Sequence, residues 1–174
     1  LVPLSLKYRE SFLEAVKEMR EENRKDIIFW EGISAPPEDF EEYVQLRTDH
    51  ALGKNLPEGW IPATTFWLLD EGEVMGEVNI RHELTEFLRT IGGHIGYWIR
   101  PSKRKQGYGK DILRLALEEA KKIGLERVLV TCDETNIGSK KIIEANGGVF
   151  EKANEMGDGE PKKLAFWIDL DEKQ

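Results

Sequence analysis

Apolar residues recur at helical spacing from the start of the chain. Tyr8, Phe12, Val16 and Met19 share one face of residues 7–24, charged residues fill the gaps, and an amphipathic helix is predicted. The stretch SAPPEDFEEYVQLRTDHAL predicts a second helix: Pro36 and Pro37 come early, acids follow, then Phe40, Tyr43, Val44 and Leu46. The Gly- and Pro-rich segment GKNLPEGWIPA reads as a loop. From Thr64 the period falls to two. Residues 64–69 are β-branched, aromatic and apolar, and DEGE (70–73) is a turn signal. Residues 74–81 alternate, with Val74, Gly76, Val78 and Ile80 on one face and Met75, Glu77, Asn79 and Arg81 on the other. An antiparallel hairpin is expected.

HELTEFLRT is a short irregular or helical piece, and GGHIGYWIR (92–100) is a third strand that Pro101 ends. Residues 107–123 carry a stripe of Ile112, Ala116, Ala120 and Ile123 flanked by Leu113 and Leu117, a helix that Gly124 stops. RVLVTC (127–132) is short enough for a buried strand. Residues 136–146 read as a helix with Asn136 at its cap and Gly147 after it. Residues 148–152 and 163–170 make a final strand pair around ANEMGDGEP. The middle runs strand, helix, strand, helix, which predicts an α/β sheet containing a parallel pair, with helices on its faces.

Composition narrows the field. The 174 residues suit one domain (1–174), with a helical elaboration over 1–63 and a core over 64–170. Apolar residues make up 40%, including five Trp and seven Phe, enough for a packed core. No apolar run approaches the roughly 18 residues of a membrane span. LVPLSLKYRE lacks a basic segment followed by an apolar one, so no secretion signal is visible and a cytoplasmic protein is expected. The lone Cys132 excludes an internal disulfide and a multi-cysteine metal site; His50, His82 and His94 have no ligand spacing, and no metal is expected. A net charge of −8 disfavours a general nucleic-acid binder.

Against that acidity, residues 100–122 gather positive charge where a strand meets a helix. Arg104 to Gly109 read RKQGYG, with Lys103 before and Lys110 after. Backbone N–H groups at a helix start lack partners and the helix dipole is positive there. Glycines let a ligand approach the backbone. A phosphate or pyrophosphate suits such a nest. A solvated turn is the plainer alternative. The chain has neither GxxxxGK[ST] nor GxGxxG, since Ile112 stands where the third glycine belongs, so a P-loop and a dinucleotide fold are disfavoured.

RKQGYG matches the R/Q-x-x-G-x-G/A signature of the GNAT superfamily of N-acetyltransferases. YWIRPSKRKQGYG also resembles that family's strand and pyrophosphate loop, and NIGSKKIIEANGG its downstream Asn-led helix. The combination of RH, GGHIGY and NGG resembles a branch of bacterial acetyltransferases of unassigned substrate. The resemblance spans about residues 64–170. It implies a mixed, mostly antiparallel GNAT-like sheet with a central parallel pair, and acetyl-CoA as co-substrate. The pyrophosphate would lie on the amides of Lys105, Gln106, Gly107, Tyr108, Gly109 and Lys110, opened by Arg104. The pantetheine arm would run along Tyr97, Trp98 and Ile99, and Asn136 and Ser139 would meet it from the other side. A backbone amide would polarise the thioester. An amine would attack directly through a tetrahedral intermediate, helped by proximity and by a good thiolate leaving group.

Two of the family's roles do not carry over. A tyrosine seven residues after the Asn protonates the thiolate in many members; here it is Ile143. A glutamate five residues before the Asn serves some members as base; here it is Thr131. His94, early in the thioester strand, is the candidate base, with a structural histidine as the alternative. Glu77 and Arg81 are candidate substrate ligands, and His82 has a similar balance. Cys132 is a candidate nucleophile or a core residue; Tyr97 and Tyr108 are possible proton donors. Glu31, Glu38, Asp39, Glu41 and Glu42 make the expected acceptor side acidic, which suits a cationic small-molecule or peptide amine. A monomer or homodimer with neither nucleic-acid nor membrane partner is expected. An acyl-CoA binding or sensing domain without catalysis is the main rival, and a phosphate or nucleic-acid module using residues 103–110 is the other.

Overall fold

The computed structural model describes residues 1–22, 40–157 and 159–170. Its elements, in chain order, are β1 (Val2–Pro3), α1 (Arg9–Glu21), α2 (Phe40–Ala51), β2 (Ala63–Asp70), β3 (Glu73–Arg81), α3 (Glu86–Thr90), β4 (Ile95–Ile99), α4 (Tyr108–Lys122), β5 (Arg127–Asp133), α5 (Ile137–Ala145), β6 (Val149–Asn154) and β7 (Lys163–Asp169). The expected helix start at Pro36 and Pro37 lies outside the described residues.

The strands form two antiparallel sheets, β1-β2-β3-β4 and β5-β7-β6. The parallel pair expected from β4 and β5 is not formed as a ladder. The backbone hydrogen bond between them is His94 N–H to the Leu129 carbonyl, 2.7 Å, at the start of β4. Two clusters fill the core. One faces α4, where Ile112, Leu113, Ala116 and Ala120 meet Val78, Ile80, Ile95 and, from the second sheet, Val128, Val130 and Phe166. The helix stripe read from the sequence is therefore the buried face of α4. The other cluster puts α1 and α2 on the opposite face of the first sheet, with Phe12 stacked on Trp67 at 4.7 Å between centroids and Trp98 beside them.

One expectation about faces is overturned at the hairpin. Leu68 pairs with Gly76 but Leu69 pairs with Val74, so Met75 is an extra residue, a β-bulge. The alternation reverses there: Val74 joins the α1 cluster and Met75 the α4 cluster. Strict period-two reading holds only from Gly76 onward.

Candidate active site

Three neighbouring parts build the site, and the first is the junction of the sheets. The His94 ring adds a second bond to the backbone one: its Nδ1 accepts the Leu129 N–H at 2.8 Å. Thr131 Oγ1 accepts the Gly92 N–H at 3.0 Å. Arg81 donates to the Gly92 and Gly93 carbonyls at 3.1 and 3.0 Å. Gly93 has φ +61° and a Cβ there would sit 2.3 Å from the Leu129 oxygen, so only glycine lets the sheets approach this closely.

This arrangement corrects the base role expected of His94. A neutral ring whose Nδ1 accepts a backbone bond carries its hydrogen on Nε2, which leaves no free lone pair for a proton. Burial, then the charges of Arg89 and Arg81, push its pKa down to about 4. The same geometry corrects Arg81, whose guanidinium serves the glycine turn rather than a substrate. Thr131, at the family's glutamate position, is another strut of the junction. His82 bonds Thr64 Oγ1 at 2.8 Å.

Beyond the junction the sheets part and β4 keeps an open edge. Arg81 N–H bonds to the His94 carbonyl and Arg100 N–H to the Met75 carbonyl, so the even-numbered residues of β4 face β3. The antiparallel pattern then turns the N–H and C=O of Tyr97 and Ile99 outward, and those of Trp98 inward to Glu77. The Trp98 backbone is thus unavailable for the arm contact expected of it, and its side chain is in the α1 cluster.

The second part is the turn before α4. Gly107 caps the helix with φ +98° and Lys105 has φ +60°. The Lys110 and Asp111 N–H groups return to the Gly107 carbonyl. Among the described residues no protein acceptor meets the N–H groups of Lys105, Gln106, Gly107, Tyr108 or Gly109. Gly109 lets α5 close on α4, since a Cβ there would meet Ile142 Cδ1 at 2.6 Å. The positive charge is arranged differently from expectation. Arg104 points back to α1, bonding Glu22, the Ile99 carbonyl and Met19 Sδ. Lys103 pairs with Glu73 at 2.8 Å. Arg100 pairs with Glu18 at 2.6 Å and Glu14 at 3.4 Å, and Glu18 also takes the Ser102 N–H at 3.0 Å. Gln106 donates to the Ser102 carbonyl and Tyr108 to Asp70. Among the described ion pairs, none engages Lys105 or Lys110.

The third part is the start of α5. Asn136 is its N-cap and its Oδ1 accepts the Ser139 N–H at 3.0 Å. The Tyr97 hydroxyl crosses from β4 to lie 3.2 Å from Ser139 Oγ. Ile143 is fully buried in the core. Cys132 is buried too, and burial followed by the Asp133 charge pushes its thiol up to about 11, so it is a core residue.

Glu77 lies on the other face, under α2. It is 1% exposed and takes the Tyr43 hydroxyl at 3.0 Å and the Trp67 indole N–H at 2.9 Å. Burial raises its pKa, and Arg47 and these donors oppose the rise. The Trp98 N–H makes no full hydrogen bond but acts on the same carboxyl. Glu77 anchors α2 to the sheet, which corrects its expected contact with substrate. The neighbouring aromatic donors come from positions 34 and 10 residues away, so the sequence around Glu77 carries no sign of them. Glu41 and Glu42 open α2 on its surface; Glu31, Glu38 and Asp39 lie outside the described residues.

The family described as an acetyltransferase (GNAT) domain matches residues 1–149. The chain belongs to this GNAT acetyltransferase family. Solved structures agree on the fold. The microcin C7 self-immunity acetyltransferase MccE, in complex with acetyl-CoA and AMP, is 15% identical with a TM-score of 0.63, over 96% of this chain and 89% of that one. YncA of Salmonella typhimurium, a putative acetyltransferase with acetyl-CoA, is 16% identical with a TM-score of 0.57, over 77% and 75%. A chimera of the Vibrio cholerae spermidine N-acetyltransferase SpeG with hSSAT is 18% identical with a TM-score of 0.55, over 76% and 78%. None of the curated proteins is similar enough to count as a match. Among the described residues no helix is long and apolar enough to cross a membrane, and no cluster of His, Cys, Asp or Glu could hold a metal.

Proposed function

We propose that the chain moves an acetyl group from acetyl-CoA to a primary amine, as one domain acting in the cytoplasm. The observation that carries this reading is the row of unpartnered N–H groups from Lys105 to Gly109, next to the open edge of β4. These residues fit the nucleotide half of acetyl-CoA: a positive-φ glycine, a helix N-terminus and two cations with no ion partner among the described residues suit a diphosphate. Bound there, acetyl-CoA supplies an activated thioester carbonyl. The amides of Lys105 to Gly109 would hold the phosphates, with the Lys105 and Lys110 side chains adding charge; the Lys110 N–H is already bonded to the Gly107 carbonyl. The outward backbone groups of Tyr97 and the outward Ile99 N–H would orient the arm, the Ile99 carbonyl being held by Arg104, and the Tyr97 N–H would donate toward the thioester oxygen. Asn136 and Ser139 contribute from α5. Arg104 acts by bracing the turn against α1. The acceptor attacks directly, because the buried Cys132 gives no acyl-enzyme.

The acceptor is a small-molecule or peptide amine that enters from the side of the N-terminal helices. Among the structural neighbours one acts on spermidine, and another modifies the N-terminal serine of ribosomal protein L7/L12. Polyamines and seryl peptides are therefore the first acceptors to assay. Calorimetry with acetyl-CoA tests the cradle. Gly107→Val has open space for its side chain but the wrong φ, and we expect affinity to fall at least about tenfold. Unchanged affinity would sink the cradle. Thiol release above the spontaneous rate with an amine panel tests transfer. One observation favours the rival, a non-catalytic acyl-CoA binder: Ile143 and Thr131 are both committed to structure. Tight acetyl-CoA binding without amine-dependent thiol release would select it.

A further inference from the structure

This inference rests on the acetyl-CoA reading and concerns how the sulfur departs. The family's usual tyrosine position, Ile143, is packed in the core, so α5 offers no phenol from there. A phenol reaches the same helix from the opposite side. Tyr97 has its backbone on the open edge of β4, while its ring packs toward the α4 cluster and its hydroxyl meets Ser139. Ser139 stands one helical turn before Ile143, on the same face of α5. Among the described residues, this pair is the side-chain hydrogen bond joining β4 to α5.

The other hydroxyls and the thiol nearby are placed elsewhere: Thr131 Oγ1 accepts the Gly92 N–H at the junction, Tyr108 donates to Asp70, and Cys132 is buried. Tyr97 and Ser139 hydroxyls are bonded to each other, and either atom can be the donor. Asn136 fixes Ser139 in place through its N–H. Among the described residues no carboxylate hydrogen-bonds to the pair, so a phenol proton is free to turn toward a new acceptor.

We propose that the Tyr97 hydroxyl donates a hydrogen bond to the sulfur of the departing CoA thiolate, while Ser139 donates to the phenol oxygen. The step balances without a proton transfer from tyrosine. The carbon–sulfur bond breaks and its electron pair stays on sulfur. The acetyl carbon keeps its new bond to nitrogen, the amine's proton passes to water, and the phenol retains its own. The thiolate is protonated by solvent after it leaves. Burial pushes the Tyr97 phenol up to about 12, opposed by the Ser139 hydrogen bond. A thiol ionises near about 8.5, so full transfer from this phenol would run uphill. A preorganised donor lowers the barrier without it.

The test reads thiol ionisation of bound CoA from thiolate ultraviolet absorbance, in wild type, Tyr97→Phe and Ser139→Ala. In the wild type the bound thiol should ionise at lower pH than free CoA, a reading that needs no variant. Tyr97→Phe should raise that pKa by about one unit, a tenfold change in thiolate population. CoA affinity, measured by calorimetry well below the thiol's pKa, should change less than about threefold. Ser139→Ala should give a smaller rise. Equal thiol pKa values in wild type and Tyr97→Phe, with CoA still bound, would overturn the assignment and leave the acetyl-CoA reading intact. A larger shift in Ser139→Ala would make serine the donor and overturn it too. A wild type that binds no CoA removes the acetyl-CoA reading itself, and this inference with it.

Discussion

The junction of the sheets and the turn before α4 lie at opposite ends of β4 and treat backbone polarity in opposite ways. At the junction the polar groups are closed on each other: His94, Thr131 and Arg81 engage the backbone of Leu129, Gly92 and Gly93. At the turn, among the described residues, no acceptor meets five consecutive N–H groups. Both ends depend on glycine, for different reasons. Gly93 is needed because another strand is too close; Gly107 is needed only for its φ. Closure fixes where the sheets begin to part, and openness leaves room for a ligand where they have parted.

Substitutions can set the two ends apart. The largest expected effect is at the junction. Gly93→Val places a side chain into the Leu129 backbone at a φ that valine avoids, and should cost at least about 3 kcal/mol in denaturant unfolding. A cost as small as that of an exposed loop glycine would show that the sheets can shift freely.

An intermediate effect is expected from pH. The His94 pKa lies below its unfolded value of about 6.5, so the neutral ring is what the fold favours. Its contribution is complete above about 6.5 and is lost as pH falls through that value toward about 4. Glu77, with a raised pKa, acts with the opposite sign. The difference between wild type and His94→Gln isolates the histidine, because glutamine can still accept the Leu129 N–H but does not titrate. The wild type should lose stability relative to the variant on acidification. Parallel curves would remove His94 from the junction.

The smallest effect separates the cations of the turn. Lys105→Ala should weaken acetyl-CoA binding by about threefold to tenfold and reduce its salt dependence. Arg104→Ala should weaken it less at low salt, since Glu22 already neutralises that charge. The reverse order would mean that Arg104 leaves Glu22 to meet the phosphates.

The turn was legible in the sequence because its chemistry is local. Gly107, Gly109 and the helix that follows are neighbours in the chain, and so are Asn136 and Ser139. The junction was not, because its partners lie 35 and 39 residues apart and a histidine between glycines carries no mark of the strand it will meet. Glu77 misled for a related reason. Alternation places it on a face, but only the packing of α2 decides that the face is dry. The bulge at Met75 escaped because one inserted residue has no compositional signature. The helices and most strand bounds, which depend on short-range period and caps, were recovered.

The acidic ladder on α1 has a consequence for inheritance. Glu14, Glu18 and Glu22 recur every fourth residue and grip Arg100, Ser102 and Arg104 in turn. Helix and turn are therefore a matched key and lock. A chimera that exchanges the N-terminal helices for those of a relative, in search of a new acceptor, will need to bring this spacing with it or replace the arginines as well. The N-terminal helix cannot drift independently of the turn that it braces.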